Sequence, residues 1–320
     1  MTNDMLRYSC QMALPGFGEA AQLLLKQAKV LVVGIGGLGC PVVQYLTAAG
    51  VGTLGLADFD NVSVSNLHRQ VLFGTADIGQ NKAKTACSKL HTQNPATLLM
   101  PYDRINTTNV LDIVEQFDIV VDCTDNFATR YLLNDACVLT DKPLVYGAIY
   151  QFDGQVGVWN IENKNGTRSP NYRDLFPTVN ASQIPNCAEG GVIPTLAGII
   201  GCMQANEVLK YIAKTGNLLA GKVLIFDANT MQSRIIKIGN TTKTKITELS
   251  QHVDTPVMTS EELKQAIQDE TVELIDVRSA DERNAYNIGG KHIPLDELEN
   301  NLHQLNPEKQ TVFYCSSGKR

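Results

Sequence analysis

The most constraining stretch of this chain runs from Lys29 to Asp60. Lys29-Val30-Leu31-Val32-Val33 is a β-branched run suited to a buried strand, and it opens directly into Gly34-Ile35-Gly36-Gly37-Leu38-Gly39. A helix is predicted from Cys40 to Ala49, with Pro41 in its first turn, where a missing N–H costs nothing, and Gly50 as its stop. A second strand through Leu54-Gly55-Leu56-Ala57 ends at Asp58, about twenty residues past the last loop glycine, where dinucleotide-binding folds place a carboxylate for ribose hydroxyls. The glycines let backbone approach phosphate oxygens, and the helix N-terminus offers N–H groups and a positive dipole end. Gly34, Gly36, Gly37, Gly39 and Asp58 therefore read as a nucleotide site. Glycines alone would also serve a tight strand-to-helix turn with no ligand; the strand, helix and acid in register argue for the ligand.

The chain has 320 residues, a length that suits two domains, and 43% hydrophobic with 19% charged residues is the balance of a soluble globular protein. A net charge of -6 argues against a nucleic-acid partner. No basic segment precedes an apolar run at the N-terminus, and the longest apolar run, Val192 to Met203, is too short to span a bilayer. The reading is a cytoplasmic protein without a membrane partner. The eight cysteines contain no CxxC pair, so reduced thiols are expected.

Along the chain, helices are predicted over Glu19–Gln27, Asn81–Thr92, Thr108–Glu115 (capped by Asn106 or Thr107) and Phe127–Thr140. Strands are predicted at Leu98-Leu99-Met100, Phe117–Asp122 and Pro143–Ala148. Gln155–Trp159, Lys222–Phe226 and Ser233–Ile238 follow without crossover helices, so the second half of the sheet is predicted to be antiparallel. Between them Asn163 to Asn186 reads as a long functional loop, and Val192 to Ile212 as a core helix. Thr241 to Pro256 reads as a linker. A second α/β unit follows, with helices at Ser260–Gln268 and Leu295–Leu305 and strands at Val272–Val277 and Thr311–Tyr314.

The residues after Asp58 decide which nucleotide is bound. Phe59-Asp60-Asn61-Val62-Ser63-Val64-Ser65-Asn66-Leu67-His68-Arg69-Gln70, then Gly79-Gln80-Asn81-Lys82, and Asp122-Cys123-Thr124-Asp125-Asn126 supply two cations, an amide and a carboxylate around one phosphate loop. That set suits a triphosphate with Mg²⁺ and has no use in a dehydrogenase. At these residues, and over about Leu6 to Ile238, the sequence resembles the MoeB/ThiF family, relatives of ubiquitin-activating enzymes that adenylate the C-terminal glycine of ubiquitin-like sulfur carriers. The resemblance implies ATP and Mg²⁺ as cofactors. It assigns Gly34, Gly36, Gly37 and Gly39 to the phosphates and Asp58 to the ribose. Asn66, Arg69 and Lys82 fall on triphosphate-binding positions, and Asp125 on the magnesium-binding one. It implies a carrier with a C-terminal Gly-Gly as partner, a homodimer, and a sulfur-donor protein as a further partner. Some members form a covalent intermediate on a crossover-loop thiol, a position occupied here by Cys187; others release the adenylate without one, and both readings stand.

Two positions depart from the family. Many members hold a structural zinc with two CxxC pairs, the first of which would fall on Asn171-Tyr172-Arg173-Asp174, and no cysteine lies just after Ile238. No zinc site is expected. In Arg7-Tyr8-Ser9-Cys10-Gln11, Cys10 stands where the family has an arginine that reaches the partner subunit's triphosphate.

The C-terminal unit resembles a rhodanese sulfurtransferase through Leu274–Arg278, Ile288–Pro294 and the loop Cys315–Arg320. That resemblance makes Cys315 its sulfur-bearing thiol. The chain stops inside that unit, which is therefore expected to be incomplete. The predicted architecture is α/β: a Rossmann-like nucleotide-binding domain at 1–240, its mixed sheet parallel then antiparallel, a linker at 241–256, and a truncated rhodanese-like unit at 257–320. The leading functional reading is an ATP-dependent adenylyltransferase for a sulfur carrier, of the molybdopterin pathway rather than the thiamine one given the rhodanese fusion. A nicotinamide oxidoreductase and a nonenzymatic nucleotide- or carrier-binding scaffold are the alternatives.

Overall fold

The computed structural model describes residues 3–177, 191–249, 258 and 260–315. The chain divides into two units, Met1–His252 and Val253–Arg320.

In the first unit β1 (Lys29–Val33), β2 (Thr53–Ala57), β3 (Leu98–Tyr102), β4 (Ile119–Asp122) and β5 (Leu144–Tyr150) run parallel in the order β3-β2-β1-β4-β5. β6 (Asp153–Trp159), β7 (Lys222–Asp227) and β8 (Gln232–Lys237) extend the sheet antiparallel as predicted, with no helix between β5 and β6 or between β7 and β8. β1 is apolar from Val30 to Val33 because both faces are covered there. Val30 and Val32 pack with Leu54, Leu56, Val121 and Ile200, while Leu31 and Val33 pack on the other side with Phe117, Val120 and Leu133.

α1 (Gly18–Gln27) precedes β1, and the crossover helices are α2 (Gly39–Ala49), α3 (Lys82–Gln93), α4 (Val110–Glu115) and α5 (Phe127–Leu139). α2 ends at Gly50, which takes the left-handed conformation (φ 85°) that glycine adopts without a steric penalty. Asn81 and Asn126 cap α3 and α5 with side-chain oxygens that accept from Lys84 N and Thr129 N. α4 differs from expectation. It starts at Val110 with Asn109 as its cap residue, because Asn106 is drawn into a local turn with the N–H and hydroxyl of Thr108. α6 (Pro194–Ala213) is the long helix after the crossover stretch, opened by Pro194 and packed on α2, β5 and β6. Among the described residues no helix is long and apolar enough to cross a membrane.

The segment read as a linker from Thr241 is anchored at its start. Asp174 accepts hydrogen bonds from the backbone N–H groups of Asn171, Lys243 and Thr244 and from the hydroxyls of Thr242 and Thr244. The alternation of Thr with Lys over these residues reads as loop in sequence; the carboxylate that holds them is distant in the chain.

The second unit has a parallel three-stranded sheet, with β9 (Val272–Asp276) between β10 (Lys291–His292) and β11 (Gln310–Tyr314). α7 (Ser260–Gln268) precedes it, and α8 (Ala280–Ala285) is started by Ser279 and Glu282 in a reciprocal capping box. The predicted helix Leu295–Leu305 is shorter, Leu298–Asn301 followed by a 3₁₀ turn, since Pro294 and the turn at Glu297 delay its start. Ile275, Val277 and Ile293 form its small core, against which Leu298, Leu305 and Cys315 pack.

Candidate active site

The parallel strands deliver their carboxyl ends to one edge of the sheet, where ligands of such folds bind. The loop after β1 is built so tightly that its glycines are required at two points. Gly34 has φ 89°, and a Cβ there would lie 2.7 Å from the Cys123 carbonyl oxygen. A Cβ on Gly39 would run into the carbonyl oxygen of Gly34. Gly36 is more open, with Gln70 Nε2 the nearest atom to a Cβ there, and Gly37 lies against Ala197 of α6 and the aliphatic stem of Arg69.

Asp58 stands at the end of β2 and is half-buried. One carboxylate oxygen accepts from the N–H of Ile35 at 2.7 Å and the other from Asp60 N at 2.9 Å. Burial raises its pKa above the usual carboxylate range, opposed by the Lys82 charge and by these hydrogen bonds. Asp58 thus fixes the glycine loop while each oxygen keeps a lone pair that can accept a further hydroxyl.

Beyond Asp58 the chain makes the 3₁₀ turn Val64–Asn66. Asn66 donates to Ser63 Oγ and accepts from Arg69 Nη2 at 3.2 Å, which orients the guanidinium beside Gly37. Lys82, the first residue of α3, is only 4% exposed, and its Nζ pairs with Asp60 Oδ2 at 3.1 Å. A lysine buried at a helix N-terminus faces the positive end of the dipole, so it needs anions around it. Asp60 and Asp58 supply them here. Asp125 is exposed on the loop between β4 and α5, next to β1 in the sheet. An exposed carboxylate at the carboxyl end of a strand can serve as one ligand of a hard cation.

Cys187 lies outside the described residues. Cys40, in the first turn of α2, is buried and its thiol pushed up to about 12, chiefly by desolvation, so it is an inert packing group. Cys10 is exposed, and the nearby Arg7 donates from Nη1 to the Gln93 carbonyl at 3.0 Å. At the position of the family's first CxxC pair, Asp174 is engaged by the hydrogen bonds described above, Asn171 Oδ1 accepts from Arg173 N at 2.9 Å, and Asn171 Nδ2 donates to Thr242 Oγ1 at 2.9 Å. In the second unit Cys315 follows β11 and is half-buried. Beside that strand end, Asp276 accepts from Arg278, Arg283 and Tyr314, and the Arg278 pairing holds its carboxyl well below the usual range.

Three residues at the site were not singled out from sequence. Gln70 is 3% exposed with its Oε1 unpartnered beside the loop, and Arg130 and Gln204 support the residues around Asp125. Arg130 carried a signal, a charged residue directly before the apolar run Tyr131-Leu132-Leu133 of α5; Gln204 carried none.

Comparison with known proteins follows the same division. The ThiF family model matches residues 8–247, and the rhodanese-like domain model matches residues 259–320. This chain belongs to the ThiF family. Among curated ThiF-like relatives, the probable adenylyltransferase/sulfurtransferase MoeZ of Mycobacterium tuberculosis is 38% identical over 99% of this chain and 86% of its own length. The sulfur carrier protein adenylyltransferase of Thermus thermophilus is 50% identical over 70% of this chain and 84% of its own. The adenylyltransferase and sulfurtransferase MOCS3 of Drosophila grimshawi is 48% identical over 74% of this chain, which spans 52% of that relative. A crystal structure of E. coli MccB with AMPCPP and MccA superposes with a TM-score of 0.63 at 23% identity, over 75% of this chain and 73% of that one. That likeness shows the ThiF-type fold, with its sheet parallel first and antiparallel after.

Proposed function

We propose that this chain is an ATP-dependent adenylyltransferase that activates the C-terminal glycine of a ubiquitin-like sulfur carrier and releases pyrophosphate. The observation that carries the reading is the pair of cations, Arg69 and the buried Lys82, set around a glycine loop that tolerates no side chain at Gly34 or Gly39. Names of relatives on both sides of the fusion, adenylyltransferase and sulfurtransferase, support it.

In this reading Asp58 takes the ribose hydroxyls, and the backbone of Gly36 and Gly37 meets the phosphates. Asn66, Arg69 and Lys82 neutralise the β- and γ-phosphates as the carrier carboxylate attacks the α-phosphorus and pyrophosphate leaves. Lys82 exchanges Asp60 for a phosphate oxygen. Asp125 would hold Mg²⁺, which neutralises phosphate charge and orients the leaving group. Positioning supplies most of the rate. Residues 1–240 form the adenylating domain and 257–320 the rhodanese-like one, in which Cys315 would carry sulfur; the carrier adenylate is either captured by Cys187 as an acyl thioester with release of AMP or handed on without it. The chain works as a homodimer with a molybdopterin-pathway carrier and a sulfur-donor protein, needs no zinc, and binds no nucleic acid or membrane.

The deciding experiment is exchange of labelled pyrophosphate into ATP, run with a molybdopterin-type carrier, a thiamine-type carrier and none. Exchange that requires Mg²⁺ and the first carrier is expected. Binding of ATP or carrier without exchange would leave a scaffold, and nicotinamide binding would restore the oxidoreductase.

A further inference from the structure

The loop that presents Asp125 is held from two sides by buried side chains. Arg130 in α5 is 6% exposed. Its Nε donates to Asp122 Oδ2 at 2.9 Å, and its Nη2 donates to the carbonyl of Thr124 at 2.8 Å and to that of Gly147 at 3.3 Å. The other carboxylate oxygen of Asp122 accepts the N–H and hydroxyl of Thr124 at 2.9 and 2.6 Å. The guanidinium lies 4.9 Å from the ring centre of Tyr146 and 5.9 Å from that of Tyr172. Burial works against its charge, but Asp122 and the two phenols outweigh it, and Arg130 stays protonated.

From the opposite side Gln204 of α6, fully buried, donates to the Asp122 carbonyl at 2.8 Å and accepts from the Cys123 thiol at 3.7 Å. Gly147 makes room for this carboxamide, which a Cβ at that position would overlap. Neither side chain is placed to touch a ligand.

A desolvated cation paired only with Asp122 would be no more stable than a packed apolar pair. Two of its donors, however, go to backbone carbonyls, and one of these is decisive. The Thr124 carbonyl and the Asp125 N–H share one planar peptide, so fixing that oxygen fixes the direction in which Asp125 leaves the strand. We infer that Arg130 and Gln204 are positioning residues, a two-sided clamp that sets Asp125 for the metal–triphosphate complex. The inference rests on the nucleotide reading above.

The test uses Mn²⁺, observed by its paramagnetic resonance, titrated into the full chain with an ATP analogue whose α,β-methylene bridge blocks adenylation. Arg130→Lys keeps the charge, but its single nitrogen cannot meet Asp122 and the two carbonyls at once, and Gln204→Met keeps the volume while losing the donor. Arg130→Lys is expected to weaken Mn²⁺ in the ternary complex about 10- to 100-fold, the size typical of lost outer-shell support, and Gln204→Met about threefold or more. Analogue affinity without metal stays within about twofold for both. Folded variants that hold Mn²⁺ as the wild type does overturn the inference, as does loss of metal and analogue affinity in equal proportion. If Arg130→Lys fails to fold, normal Mn²⁺ binding by Gln204→Met overturns it. A wild-type chain that binds neither analogue nor Mn²⁺ overturns the nucleotide reading itself, and this inference with it.

Discussion

Replacing Asp174 by Asn tests whether one carboxylate ties the end of the first unit back to the stretch that follows β6. Asp174 accepts five hydrogen bonds, three on Oδ1 from Lys243 and Thr244 and two on Oδ2 from Asn171 N and Thr242 Oγ1. An asparagine can keep its oxygen towards the three. Its NH₂ group then faces Thr242, whose hydroxyl can turn to accept, and the N–H of Asn171, which cannot. One backbone donor left unsatisfied costs about 1–3 kcal/mol, and loss of charge adds some tenths for each remaining bond. Asp174 is partly exposed, which lowers the sum to about 2 kcal/mol. For a unit of this size that is a fall of about 4–8 °C in melting temperature. Burial raises the Asp174 pKa, but the hydrogen bonds outweigh it and the folded value is lowered. The stabilisation is therefore present above the unfolded pKa, about 3.9, and is lost as pH falls through the lower folded one. Urea denaturation of both proteins from pH 7 to pH 3 should show the gap at neutral pH narrowing below about pH 4. No gap at pH 7, or a gap of constant size, would refute the reasoning.

Gly39→Ala, whose Cβ meets the Gly34 carbonyl, should abolish ATP binding by calorimetry while leaving the fold recognisable by circular dichroism. Asp125→Ala should remove magnesium-dependent pyrophosphate exchange without lowering the melting temperature, since the side chain lies outside the core; normal exchange would sink the metal assignment. Cys10→Arg should raise the adenylation rate about tenfold or more, by analogy with arginine fingers, with little change in ATP affinity; an unchanged rate would show that this position does not limit catalysis. Elemental analysis of the purified chain should find less than one zinc per chain.

The parallel half of the sheet and the glycine loop were legible because local pattern and tertiary position coincide there. A β-branched run, a glycine loop and a strand-end acid are each short-range signals, and β1, β2 and Asp58 stand where they point. The change to antiparallel pairing was legible from the absence of a helix between β5 and β6 and between β7 and β8; at β6–β7, where α6 intervenes, it was not. Arg130, Gln204 and the role of Asp174 were not, because their partners lie far along the chain: Gly147 for Arg130, Asp122 for Gln204, Thr242 to Thr244 for Asp174. A buried polar residue announces that it needs a partner but not which one. The capping box at Ser279 was legible in principle, since Ser with Glu three residues on is a local pattern.

The switch of strand direction after β5 also bears on how the chain reaches its native state. β5 pairs with β6 across a tight turn at Gln151 and Phe152, and β7 with β8 across a turn at Ala228 to Met231, so both hairpins can close locally. The β6–β7 pairing joins them only after everything from Asn160 to Gly221 has been placed. Closing that span carries a larger loop entropy and a slower rate than either hairpin. Until it closes, β6 presents an open edge with Val156, Val158 and Trp159 uncovered, the segment through which refolding at high protein concentration should lose material to aggregation.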